Sequence, residues 1–300
     1  MWVFFGLISA LFLGAYDAVR KKVLKDNAVF PVLFLASATG GVFFVPFIVS
    51  SALGGLNTDS LFYVPAGPVN LHILAFLKSI LVGSSWFLAY NAISRLPLTI
   101  VIPIRSTGPM WTLIGALLVF GERFSGLQWT GIAVVLIFFY YFTLAGRHEG
   151  ISFFRNKWIF AAIGATLLGA LSSMYDKYLF THYNRMFIQA WYSVYMIPVM
   201  LPVLLFAWYP NRKKRNKFTW SIYIHVIGMV LVVSDFLYFY GLSLTGALIA
   251  VMSILRRSSV IISFAAGALF FGEGNLKRKG LALLGILLGV ALIVLGTLRG

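Results

Sequence analysis

Cysteine is absent from all 300 residues. Disulfide scaffolds, zinc–thiolate centres and cysteine nucleophiles are therefore excluded, and redox compartment cannot be read from cysteine usage. Acidic residues are scarce as well: eight Asp and Glu stand against 24 Lys and Arg, for a formal net charge of +16. A basic surplus signals nucleic acid when it clusters on one face. Here the basic residues fall in short loops between apolar runs, which argues against a nucleic-acid partner. The four histidines, His72, His148, His182 and His225, are scattered with no His-Glu-x-x-His, so no metal or cofactor is implied. There is no low-complexity tail, coiled coil or soluble domain either.

What is present is apolar. Hydrophobic residues make up 60% of the chain, charged ones 11%, and the mean hydropathy is +0.92. That composition belongs to an all-α polytopic membrane protein, whose partner is the lipid bilayer. Ten stretches have the roughly 20-residue length a bilayer core demands: 2–22, 29–51, 71–93, 97–119, 127–145, 157–179, 186–208, 221–242, 247–270 and 278–297. Met1 to Val19 carries no basic n-region and no A-x-A site, so it reads as a retained first helix. Residues 52–70 read as an exposed polar loop.

Loop charge sets an orientation. Loops after spans 1, 3, 5, 7 and 9 hold 16 of the 24 basic residues, including the Arg212–Lys217 run, and the opposite loops and termini hold four. The positive-inside rule makes the first face cytoplasmic, so both termini are expected outside. Five spans per half then require the halves, 1–146 and 147–300, to be inverted repeats. That is a transporter architecture with its site near mid-membrane.

The repeat is visible in residues. Pro97 to Glu122 (PLTIVIPIRSTGPMWTLIGALLVFGE) has a second copy of its frame in Ala247 to Glu273, 151 residues on. Arg105 falls on Arg256, and Phe120-Gly121-Glu122 on Phe271-Gly272-Glu273. The Arg-to-Glu spacing is 17 residues in both copies, about 25 Å of helix.

GAYDAVRKKVLKDNAVFPVLF at the end of span 1 and RSTGPMWTLIGALLVFGERFSGLQWTGIAVVLIFF resemble the EamA-like branch of the drug/metabolite transporter superfamily. The helix-Gly-Glu junction followed by Gln128-Trp129 and Gly131 is the most specific part, and the resemblance extends over both halves. It implies ten helices in two inverted five-helix repeats, no enzymatic activity, and export or exchange of amino acids, small metabolites or drugs across the bacterial inner membrane. Relatives are placed with both termini in the cytoplasm, whereas the loop charges here place them outside.

Arg105 is the leading site candidate. A charge inside a span costs at least about 2.5–3.5 kcal/mol unless it finds a partner, water or the interface, and Pro103 and Pro109 free carbonyls around it. Facing a cavity with Ser106, it would contact a substrate carboxylate; the bland alternative is an arginine that snorkels or is permanently paired. Arg256 and Arg257 diverge by about 100° around a helix, so at most one is expected to face the cavity squarely, and the repeat favours Arg256. Trp86, Tyr90 and Tyr238 are the aromatics expected at the cavity, because their spans also carry Ser84, Ser85, Asn91 and Asp235.

Three acids are candidates for proton coupling. Asp17 and Asp176 follow tyrosines near the ends of spans 1 and 6, where interfacial pairing with Lys21 and Lys177 is the bland reading. Asp235 lies mid-span among apolar residues and, with Lys78, is an isolated intramembrane charge. Glu122 and Glu273 are expected to reach the next helix start behind αL glycines at 121 and 272. Gly285 and Gly289 form a small-residue pair for close contact inside one protomer or in a homodimer. The competing classes are an intramembrane aspartyl protease using Asp17 and Asp235, for which no Gly-x-Gly-Asp is present, and a channel or non-transporting scaffold.

Overall fold

The computed structural model describes residues 1–24, 27–93, 95, 104–105, 107–144, 156–212, 217–259, 261–262, 265 and 276–299. Among them there is helix and no strand. In chain order the helices are α1 (Trp2–Leu24), α2 (Val29–Ala52), α3 (Val69–Ile93), α4 (Gly108–Phe120), α5 (Gly126–Leu144), α6 (Lys157–His182), α7 (Arg185–Pro202), α8 (Ile222–Ser243), α9 (Ile249–Arg257) and α10 (Leu276–Arg299). Seven are long and apolar enough to cross a membrane, and the apolar stretches of α4 and α5 are shorter. Parts of the expected spans 97–119 and 247–270 lie outside the described residues, the apolar helix in 127–145 is short, and seven of the expected crossings are matched by length.

Local chemistry sets the ends. Asn156, Asn184 and Ser221 cap α6, α7 and α8, each accepting a backbone N–H from the first turn. Gly121 closes α4 in the left-handed conformation at φ 59°, ψ 26°. Pro198 and Pro202 sit inside α7, and a π-helical turn over Val203–Trp208 follows, which absorbs the register lost where proline supplies no N–H.

The most extensive contacts run between the first five helices and the last five. They join α1 to α8, α2 to α7, α3 to α6 and α5 to α10, with α2 on α8, α3 on α7, α1 on α9 and α4 on α6. Exchanging each helix for the one five places away returns the same set. The contact pattern thus carries the internal repeat that the sequence shows around Arg105 and Arg256.

Short polar links tie these contacts where no water competes. Ser9 Oγ donates to the Ser234 carbonyl at 2.8 Å and Ser234 Oγ donates to that of Ser9 at 2.9 Å, pinning α1 to α8. Ser85 Oγ donates to Ala165 O at 2.8 Å and Ser79 Oγ to Tyr192 O at 3.0 Å, fixing α3 to α6 and α7. Outward positions are apolar: Leu118, Phe206 and Leu284 are 80%, 77% and 65% exposed, as a lipid-facing wall requires.

The glycine pair has an internal partner. A Cβ on Gly289 would stand 2.8 Å from Gly131 O, and one on Gly131 would stand 2.7 Å from Gly289 O. Gly285 meets the ring of Phe138. These glycines therefore bring α10 onto α5 within one chain.

Three expectations are corrected. Asp17 and Asp176 are not terminal, because α1 runs to Leu24 and α6 to His182. Asp17 pairs with Arg20 at 2.7 Å, one helical turn away, and the side chain of Lys21 lies outside the described residues. Asp176 turns inward to Lys78 of α3, while Lys177 donates to the Ala247 carbonyl. Glu122 does not serve the next helix. Ser125 and Gln128 already form a reciprocal cap at the start of α5, at 2.8 and 3.3 Å. Glu122 instead accepts the backbone N–H of Ile249 at 2.7 Å and of Ala250 at 3.4 Å, so it caps α9 across the molecule. Gly272 and Glu273 lie outside the described residues.

Candidate functional site

A cavity of about 420 Å³ lies among α1, α3, α6, α7, α8 and α9. Its volume suits a small metabolite, since ligand pockets run from about 300 to 1,000 Å³. Eight of the nine candidate site residues line it: Arg105, Arg256, Trp86, Tyr90, Tyr238, Asp235, Asp17 and Asp176. The ninth, Ser106, lies outside the described residues.

Among the described residues the cavity wall carries five basic side chains, Arg20, Lys78, Arg105, Arg256 and Arg257, against three acids. Each acid is in an ion pair. Asp17 holds Arg20, Asp176 holds Lys78, and Asp235 holds Arg256. Asp235 and Lys78 are therefore not the isolated charges expected from their apolar spans; each partner comes from another helix, where linear spacing gives no hint of it.

The pairs differ in access. The side chains of Lys78 and Asp176 are 1% and 8% exposed, and the ammonium sits 4.4 Å from the Tyr192 ring centre and 4.9 Å from that of Phe239. This pair joins α3 to α6 and is shut in by rings that offer it cation–π stabilisation. Arg256 and Asp235 keep 20% and 16% of their side-chain surface, with the guanidinium 4.5 Å over Tyr238. Water and a ligand can reach that pair. Arg20 also lies 4.9 Å over the Tyr16 ring, within the same helix as its acid.

Among the described residues, no carboxylate lies within ion-pair distance of Arg105 or Arg257. Arg257 is surrounded by protein yet exposed, because its surface opens into the cavity. Both Arg256 and Arg257 line the wall, against the expectation that only one would face it. Arg256, favoured by the repeat, is the one already engaged. Sequence reasoning also passed over Arg20, Tyr192 and Phe239; the lone Lys78 in an apolar span was the available signal for a buried pair.

The protease alternative required Asp17 and Asp235 to share a site as a carboxylate dyad. Each instead faces its own arginine.

A family model described as the EamA-like transporter family matches residues 1–144 and again residues 156–295. A solved crystal structure, described only as that of a protein, superposes on 98% of this chain and 98% of its own with a TM-score of 0.74 at 13% identity. At that identity the likeness speaks to the fold alone. No curated protein matches the chain.

Proposed function

Because the chain belongs to the EamA-like transporter family, a family of small-molecule membrane transporters, we propose a specific reading of what it moves and how. The substrate is a small carboxylate-bearing metabolite, an amino acid or a relative, and Arg105 contacts its carboxylate. The protein works as an exporter or exchanger by alternating access. Its two five-helix repeats, 1–146 and 147–300, are inverted and rock about the central cavity. The observation that supports this reading is the cavity itself, a metabolite-sized space whose wall holds Arg105 with no acid in contact among the described residues.

Arg105→Lys keeps the charge but loses the planar fork, and should lower transport of the acid by about tenfold. Arg105→Gln should lower it by about 100-fold, because a hydrogen bond to a charged group is worth about 1.5–3 kcal/mol. The methyl ester of the same compound should lose far less in both variants. Equal losses for acid and ester, measured in proteoliposomes, would make Arg105 a support for its helix and not a reader of substrate.

The orientation follows from the 16-to-4 division of loop charges. Both termini are outside, in the bacterial inner membrane, and the Arg212–Lys217 loop is cytoplasmic. Alkaline phosphatase fused after Gly300 should be active, and the same reporter inserted at Asn216 should be silent. The reverse pattern would turn the whole topology over.

A further inference from the structure

Resting on the carboxylate reading of Arg105, we propose that the substrate is a dianion, held by Arg105 and Arg257 together while Asp235 keeps Arg256 away from it. The charge balance along the cavity wall carries this. At one end Lys78 and Arg256 each have an acid of their own, Asp176 and Asp235. Elsewhere on the wall Asp17 is bound to Arg20 at 2.7 Å, and Arg105 and Arg257 line the same cavity. Among the described wall residues, five cations stand against three carboxylates. The surplus of two positive charges among them falls on Arg105 and Arg257, which have no acid in ion-pair contact.

The local backbone adds to the surplus. A Cβ on Gly108 would come within 3.3 Å of Arg257 Nη2, so this guanidinium rests against the first turn of α4. Thr107 gives that turn no side-chain cap. Its hydroxyl donates to Ile104 O at 2.7 Å and accepts from Trp111 Nε1 at 3.2 Å. The positive end of α4, Arg105 just before it and Arg257 over it thus share one region of the wall, in a setting where protein weakens screening.

A monocarboxylate compensates one of the two arginines and leaves the other facing it. Within the carboxylate-bearing class a neutral zwitterion such as alanine does worse, because its ammonium finds the three described acids engaged. An acidic amino acid or a dicarboxylate relative instead brings the second anion. Two anionic groups, or one doubly charged group, neutralise the pair. Both positions are arginine, whose fork fits carboxylate and phosphate oxygens alike. A dicarboxylate and a phosphomonoester share this chemistry, and binding experiments separate them.

The test uses the full-length protein in proteoliposomes, with succinate and glycerol 3-phosphate as dianions, butyrate as the monoanion and alanine as the zwitterion. At least one dianion should drive counterflow and outcompete butyrate and alanine, and which one does so names the source. Arg257→Gln should weaken that dianion by about 10- to 100-fold while scarcely changing butyrate. Should this variant fail to fold, Arg257→Lys carries the test, and the ratio of dianion to butyrate affinity must fall in it. Preference for butyrate or alanine, no counterflow with either dianion, or equal losses for monoanion and dianion would overturn the proposal. If Arg257→Gln treats them alike while Arg105 variants still tell acid from ester, the dianion inference fails and the carboxylate reading stands. If the Arg105 variants lose acid and ester equally, both fail.

Discussion

Lys78→Met is expected to be among the most damaging single substitutions in the chain, costing about 3–5 kcal/mol of stability. The reason is the carboxylate it leaves behind. Asp176 has 8% of its side chain exposed and Lys78 has 1%, so neither charge has water to fall back on. The pair bridges α3 and α6, two helices from opposite halves, and the Tyr192 and Phe239 rings close over the ammonium. Methionine keeps the length and apolar character of the lysine stem but abandons Asp176 in that enclosure. Lys78→Met/Asp176→Leu removes both charges and should recover much of the loss, since replacing a buried pair by apolar side chains is often neutral or stabilising. Thermal unfolding of the two variants in detergent, followed by tryptophan fluorescence, measures the coupling directly. A single variant as stable as the parent protein would mean that Asp176 takes up a proton at little cost.

Much of this architecture is legible in the sequence, for physical reasons that can be named. A bilayer imposes a length on every crossing, so the apolar stretches at 29–51 and 221–242 mark α2 and α8 to within a residue or two at most ends. The Gly121 cap follows from the need for positive φ at the end of α4, and the structure has it at 59°. The cavity aromatics Trp86, Tyr90 and Tyr238 were legible because each shares a helix face or turn with polar residues that hydrocarbon would reject.

Partnership was not legible. Ion pairs between helices join residues 98 positions apart in the case of Lys78 and Asp176, and neither neighbour sequence records the other. Local rules therefore favoured Lys177 for Asp176, and tertiary geometry overrode them, while the Arg20 partner of Asp17 lay within one turn of its own helix. Glu122 shows the same limit. Its need for backbone donors could be read from its place after a helix end, yet the local donors were already taken by Gln128, and the free ones lay at α9. The internal repeat equates Arg105 with Arg256 but does not show that Asp235 pairs with the second of them, nor that the adjacent Arg257 also lines the cavity.

Asp235→Asn is expected to uncouple transport from a pH gradient while leaving exchange at equal pH intact. Of the three acids on the cavity wall, Asp235 combines mid-helix depth with an ion pair that the cavity can reach, at 16% and 20% side-chain exposure. Asp176 is closed off, and Asp17 has its partner on its own helix. A proton delivered to Asp235 removes the charge that holds Arg256 and releases the guanidinium towards the cavity. A freed Arg256 adds positive charge next to an anionic substrate, so proton and anion strengthen each other's binding. By linkage the effect is reciprocal: the bound anion raises proton affinity by the same factor. That is the thermodynamic requirement for moving the two together, which under an inward proton gradient suits the exchanger reading over the exporter one. Asparagine fixes the released state, so substrate binding should persist or tighten while accumulation driven by the gradient falls to the level seen without one. Asp235→Glu, which restores a titratable acid, should recover part of the drive. Gradient-driven accumulation in proteoliposomes that is unchanged by Asp235→Asn would reduce the Asp235–Arg256 pair to a structural tie between α8 and α9, and coupling would have to be sought elsewhere on the wall.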